Sequence, residues 1–194
     1  MSRGFTEAER SQAALLFWQA FSAKLGKVMG PEERALAFLD AVLDPDFALV
    51  ARNEAGRMLG MAGFKTAQGG LTGGGMADLA RVYGWVGGLW RGLALSVLER
   101  QVQAGVFQMD GIFVAAEARG RGVGTALLDA VKAEATATGM REVQLDVIDT
   151  NPRARALYER QGFSPVGQTD TGPFRRVFGF SSATRMSWPV EPAG

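Results

Sequence analysis

Apolar positions recur along the chain at two periods, one helical and one extended. From Thr6 to Lys24, Ala14, Leu15, Trp18 and Phe21 fall three or four residues apart, which predicts a helix with one buried stripe. Thr6, with Glu9 three residues on, has the spacing of a capping box and marks the helix start. Pro31 to Leu43 repeats the helical period, with Pro31 in the first turn and Glu32 and Glu33 facing the positive end of the dipole. Phe47 to Arg52 and Gly60 to Phe64 are short apolar runs that read as strands, joined as a hairpin at Asn53 to Gly56. Gln68 to Gly75 is glycine-rich and reads as a loop.

A long apolar helix is predicted over Met76 to Gln103. Leu79, Val82, Tyr83, Val86, Leu89, Trp90, Leu93 and Val97 form one stripe, and Ala80, Gly84, Gly88, Gly92 and Ser96 form a second at intervals of four. Arg81 and Arg91 interrupt the run, so it is too short and too charged to span a bilayer. Small residues on one face allow close helix approach. The pattern leaves four readings open: core packing in the monomer, two shorter helices broken at Gly87-Gly88, a substrate lid, or a homodimer surface. Trp18, Phe21, Trp85 and Trp90 read as core aromatics rather than a substrate platform.

The second half of the chain is more regular. Phe107 to Val114 is a strand, and Val123 to Thr138 is a helix that buries Leu127, Leu128, Val131 and Ala135 and stops at Gly139. Glu142 to Ile148 alternates strictly, with Val143, Leu145 and Val147 on one face and Glu142, Gln144 and Asp146 on the other. Pro152 to Gln161 is a helix closed by Gly162, and Phe163 to Gly167 and Val177 to Trp188 are final strands. The order implies α/β (α+β) architecture, a mixed central sheet flanked by helices in one domain over residues 1–194, with no internal repeat and no linker.

Composition then narrows the chemistry. The chain has 194 residues, 47% hydrophobic and 21% charged, as in a soluble globular protein with a real core. Its net charge of +1 gives no case for nucleic-acid binding. With no Cys there is no disulfide and no thiolate nucleophile, and with no His the usual base and metal ligand are missing. Acid–base work falls to carboxylates, Tyr, Lys or water, and no metal is expected. The first ten residues lack an apolar signal core, which reads as a cytoplasmic protein with no membrane partner.

The junction between the Phe107 to Val114 strand and the following helix carries Gly120, Gly122 and Gly124, with Arg119 and Arg121 beside them. Glycines there let backbone N–H groups approach a ligand, and the helix N-terminus adds positive charge, so the junction is an anion site suited to phosphate. A dinucleotide-binding G-x-G-x-x-G fails in both registers, because the third glycine falls on Thr125 or Leu127, and no P-loop string occurs. What remains is R-x-x-G-x-G over Arg119, Gly122 and Gly124. This resembles the pyrophosphate-binding loop of the GNAT superfamily of N-acetyltransferases. Ile112-Phe113-Val114 is similar to that family's central strand. Asn151, the Leu157-Tyr158 pair and Gly162-Phe163 resemble its second signature, in the right order and at the right separation.

The resemblance covers roughly Val106 to Trp188 well and the N-terminal half in outline. It implies a GNAT-like fold in which Met76 to Gln103 is a helical insertion before the central strand. It implies acetyl-CoA as co-substrate and an amine as acceptor. The pantetheine arm would lie along Ile112, Phe113 and Val114, one of whose N–H groups would serve the oxyanion. The pyrophosphate would meet Gly120, Arg121, Gly122, Val123, Gly124 and Thr125, with Arg119 and Asn151 also contributing. Tyr158 occupies the family's general-acid position, and Asn151 followed by Pro152 is also a good N-cap pair. For the base, Asp110 and Asp146 are both candidates, with Asp110 expected on the strand face shared by Ile112 and Val114. An unshifted Asp, with pKa near 4, is a poor base at pH 7. Ala116 stands where many members have Pro, which predicts a looser loop start. Direct transfer in a ternary complex is the reading that fits a chain without Cys. The alternatives are a non-catalytic acyl-CoA sensor and an oligomerisation module of the same fold.

Overall fold

The computed structural model describes residues 1–96, 102–170, 172 and 179–191. Among them the chain forms one mixed sheet with helices on both faces. The strands are β1 (Ser2–Arg3), β2 (Ala48–Arg52), β3 (Met58–Thr66), β4 (Gly69–Gly70), β5 (Val106–Val114), β6 (Glu142–Ile148), β7 (Ser164–Asp170) and β8 (Ser182–Pro189). The helices are α1 (Arg10–Met29), α2 (Glu32–Val42), α3 (Met76–Ser96), α4 (Val123–Ala137) and α5 (Pro152–Arg160). Strand order is β1-β2-β3-β5-β6-β8-β7, with β4 folded back on β3. All pairings are antiparallel except β5 with β6.

Two apolar layers sandwich the sheet. On one face α1, α2 and α3 bury Leu16, Phe17, Trp18, Phe38, Met61 and Phe113. On the other, α4 and α5 bury Phe107, Met109, Leu127, Leu128, Leu145 and Tyr158. The strict alternation of β6 divides it between the two as expected: Val143, Leu145 and Val147 face α4, while Ile148 packs against the other layer.

Helix α1 runs through Gly26 to Met29 rather than stopping at Lys24, because Val28 and Met29 are buried in the α1–α2 layer. Trp18 Nε1 donates to the Glu32 carboxylate at 2.9 Å and ties the two helices together. The Thr6 N–H donates to Glu9 at 2.8 Å, but Glu9 does more than cap. Its carboxylate also accepts from Arg52 Nε and a terminal guanidinium nitrogen, both at 2.7 Å. The Arg52 hydrogen bonds hold the Glu9 carboxyl down to about 2. A depressed folded pKa contributes stability above the free value of about 4.5 that is lost as pH falls toward 2. Glu9→Gln should therefore cost about 1–3 kcal/mol at neutral pH. In thermal melts its deficit against the natural chain should shrink steadily as pH falls below 4.5. A deficit independent of pH would mean the pair contributes shape and not charge.

Three elements depart from the sequence pattern. The two-residue β1 pairs with β2, and β4 arises inside the expected Gln68 to Gly75 loop. β4 needs bare glycines: a Cβ on Gly70 would lie 2.4 Å from Lys65 Cγ. The largest departure is α3. It is broken at Gly84, with φ 74° and ψ 165°, and not at Gly87-Gly88. The chain folds back there. A Cβ on Gly88 would lie 2.8 Å from the Ala80 N, and one on Gly92 would lie 2.3 Å from Met76 Cε. Residues eight and sixteen apart meet only if 85–96 packs along 76–83, so the small-residue stripe is consumed inside a helical hairpin. The apolar stripe splits with it. Leu79 and Tyr83 are buried, while Val86, Leu89, Leu93, Trp85 and Trp90 are exposed, so the last two are not core aromatics. Of the expected helix to Gln103, residues 97–101 lie outside the described residues, as do Val177 and Phe178 of the expected last strand.

Candidate functional site

The site begins with a fault in β5. Gly63 pairs with Gly111 and Phe64 with Met109, so Asp110 is an extra residue with no partner on β3, a β-bulge. The phase of the strand changes there. Phe107 and Met109 face α4 before the bulge and Ile112 faces it afterwards, with Phe113 turned to α1 and Val114 packed against both layers. Asp110 does not share the face of Ile112, as unbroken alternation implied. It stands 3.9 Å from Lys65. Lys65 projects on the α1 side, two residues after Gly63, which abuts Leu71 of that layer.

The bulge also parts β5 from β6. Their ladder holds only Val106 to Gln108 against Glu142 to Gln144, and from Met109 onward the two parallel strands diverge. The resulting edge carries backbone donors. The Ala115 N–H donates to Leu59 on the β3 side at 2.9 Å, so Val114 and Ile112 direct theirs the other way, into the gap.

The glycine loop closes one end of this gap. Ala116 opens a hydrogen-bonded 3-10 turn, with the Ala118 N–H donating to Ala115 at 2.9 Å, so the loop start is ordered without Pro. Arg119 Nε donates to the Val114 carbonyl at 3.1 Å and clasps the strand end to the loop. Gly120 and Gly122 have φ of 74° and 80°, a left-handed conformation that L side chains resist. Gly122 is the N-cap of α4, and among the described residues no side-chain cap is made at that end. A Cβ on Gly120 or Gly122 would meet nothing within 4 Å. Gly124 is helical, and its Cβ would meet Leu157 Cδ2 at an ordinary 3.4 Å. Neither backbone conformation nor packing inside the chain demands a glycine at 124, where it costs about 1 kcal/mol against Ala. The loop thus offers uncapped N–H groups of Val123, Gly124 and Thr125 beside open space, with exposed Arg121 adding positive charge.

The remaining residues divide between the two faces of the sheet and the start of α5. Tyr158 lies on the α4 side, buried, with its ring edge-on to Phe163 at 6.0 Å. Burial pushes its phenol up to about 12, so it stays protonated at any physiological pH. Asn151 Oδ1 accepts from the Ala154 N–H at 3.1 Å and caps α5, which fixes the helix that carries Tyr158. Asp110 and Asp146 both lie on the α1 side. Asp146 sits across from Arg185 on β8, with Oδ1 3.8 Å from Arg185 Nε. Burial raises the Asp110 carboxyl to about 6, Lys65 opposing the shift, and its Oδ2 is buried without a hydrogen-bond partner. Phe21 and Phe113, with ring centroids 5.5 Å apart, wall this side next to Gly111. Lys65 and Arg185, the cations that face the two carboxylates, had no signal in the sequence, because both pairings depend on cross-strand register.

A model of the GNAT family of acetyltransferases matches residues 12–163. The chain is 51% identical to the mycothiol acetyltransferase of Beutenbergia cavernae over 49 residues, 25% of this chain and 16% of that protein's length. Among solved structures it is similar to an N-acetyltransferase from Staphylococcus aureus Mu50, with a TM-score of 0.67 at 18% identity over 97% of this chain and 100% of that one. It is also similar to a GNAT superfamily phosphinothricin acetyltransferase from Sinorhizobium meliloti in complex with AcCoA. There the TM-score is 0.60 at 19% identity, over 98% of this chain and 91% of that one. At these identities the two structures share the fold.

Proposed function

The chain belongs to the GNAT family of acetyltransferases, and on that premise we propose that it moves an acetyl group from acetyl-CoA to an amine by direct transfer in a ternary complex. The observation that carries this reading is the gap between β5 and β6. The ladder between the two strands ends after Gln108 and Gln144, and the glycine loop follows at the end of β5. In this reading donor and acceptor meet in that gap from opposite sides.

On the α4 side, the N–H groups of the loop and α4 receive the CoA pyrophosphate. Gly124 supports this assignment, since among the described residues nothing in the fold requires its missing side chain. The pantetheine arm adds to the free β5 edge through Ile112 and Val114, as an extra strand would. That lays the thioester in the gap. On the α1 side, Asp110 takes the proton that the acceptor ammonium must lose before it attacks. At about 6 its carboxyl is ionised at pH 7 yet far more basic than an ordinary Asp. Asp146, 3.8 Å from Arg185, is the second candidate for this role.

The neutral amine nitrogen then bonds to the thioester carbon. The carbonyl π electrons move to oxygen, and an N–H of the Ile112 to Val114 edge stabilises that oxyanion. Collapse of the intermediate breaks the C–S bond and leaves CoA thiolate and an N-protonated amide, whose surplus proton passes to the sulfur or to water. Tyr158 meets the thiolate as a hydrogen-bond donor. A phenol at about 12 does not readily surrender its proton to a solvated thiolate, but the same buried surroundings raise the thiol as well and narrow the mismatch. The contribution of Tyr158 is accordingly stabilisation of developing charge rather than complete early proton transfer. Tyr158→Phe should lower kcat about 10- to 100-fold and leave the Kd for acetyl-CoA within about twofold. Steady-state kinetics with binding calorimetry reads both, and unchanged turnover would remove Tyr158 from the mechanism.

A further inference from the structure

The helical hairpin of α3 leaves one face uncovered. Trp85, Val86, Leu89, Trp90 and Leu93 project from 85–96 with exposures of 79%, 84%, 56%, 44% and 63%. Together they offer on the order of 600 Å² of apolar surface, the upper end of what a monomer leaves open and close to the roughly 800 Å² per partner of a stable interface. This surface is held in place. Arg91 stacks on Tyr83 at 4.1 Å and on Trp90 at 4.4 Å, and donates to the Gly87 and Gly30 carbonyls at 3.1 and 3.2 Å. The Tyr83 hydroxyl donates to the Met29 carbonyl, so the hairpin is pinned to the α1–α2 connection.

We infer that this face is the interface between two copies of the chain. Three observations select that occupant. Arg91 is the sole charged residue of 85–96, and its guanidinium is turned inward. Helices that lie on lipid carry Lys and Arg around the apolar face to meet headgroups, and residues 85–96 offer none on that face. Val86, Leu89 or Trp90, and Leu93 fall at intervals of three and four, the seam of a helix that packs against another helix. Two such faces are self-complementary about a twofold axis, and doubling the patch reaches the lower range of specific dimer interfaces. The two hairpins then form a four-helix bundle, with 85–96 of each copy at its centre and 76–83 outside. The small-residue stripe serves closure of the hairpin, and the apolar stripe serves the dimer.

Sedimentation velocity of the full chain tests this, across concentrations up to about 100 µM, where interfaces of this size associate. The natural chain should sediment as a dimer. Leu89→Glu with Leu93→Glu should sediment as a monomer with unchanged circular dichroism, and its melting temperature should match that of the natural chain diluted to monomer, since within one copy both side chains face solvent. A natural chain that stays monomeric over the whole range, or a double variant that stays dimeric, overturns the inference. Co-sedimentation with phosphatidylcholine and phosphatidylglycerol vesicles supplies the other arm. A monomer that binds vesicles through these residues would assign the face to lipid instead.

Discussion

Gly122→Asp should weaken acetyl-CoA binding about 100-fold, close to 3 kcal/mol, while Gly122→Asn of the same shape loses only about tenfold. The pair is chosen for the conformation of the site. Gly122 has φ 80° as N-cap of α4, and Asp and Asn are the side chains that best tolerate that region. Space is open around it, so neither substitution meets the fold. Both side chains can accept from the first N–H groups of α4 and so occupy donors the pyrophosphate needs. Only Asp adds a negative charge there. The difference between the two variants therefore measures the electrostatics of the anion site, and their common loss measures competition for its donors. Melting temperatures without ligand should stay close to that of the natural chain. Equal, natural-like affinities in both variants would place the donor elsewhere.

Asp110→Asn should do two things that seldom go together, lowering kcat/KM about 100-fold and raising the melting temperature. Its folded pKa of about 6 lies above the free value of 3.8. The sign follows: a raised group favours folding in its protonated form, and that contribution is lost as pH rises from about 4 through 6. Above pH 6 the natural chain carries the full cost of a buried charge, at most about 3 kcal/mol. Asn removes it, and a gain of roughly 3–8 °C is expected at pH 7.5. The natural enzyme should also lose kcat/KM about tenfold per unit as pH falls below 6, a slope the variant lacks. A structural aspartate would give the opposite stability change, so a lower melting temperature in Asp110→Asn contradicts its role as base.

The parts of the fold that the sequence carried are those set by local pattern. The loop glycines, the apolar stripe of α4, the alternation of β6 and the Asn151-Pro152 start of α5 are each specified within a few residues, and the structure has them there. What was not legible depends on partners distant in the chain. Asp110 sits one residue out of phase because β3 pairs around it, and nothing within Phe107 to Val114 announces an extra residue. That phase change moved Asp110 to the other face from Ile112, and it is what gives the carboxyl its buried, raised character. The break in α3 is similar. Gly84, Gly87 and Gly88 are equal candidates by propensity, and the choice falls on Gly84 because Gly88 and Gly92 are then free to pack against Ala80 and Met76. Lys65 and Arg185 became visible only once register was known.

In the proposed mechanism one opening in the sheet receives the donor from the α4 face and the acceptor from the α1 face. A crystal structure with CoA tests it most directly. Pyrophosphate oxygens should lie on the N–H groups of residues 120–125, pantetheine amides should pair with Ile112 and Val114, and the sulfur should sit in the gap between β5 and β6 near the Tyr158 hydroxyl. CoA bound at any other place on the molecule, with that gap closed to it, would overturn the proposed transfer between the two faces.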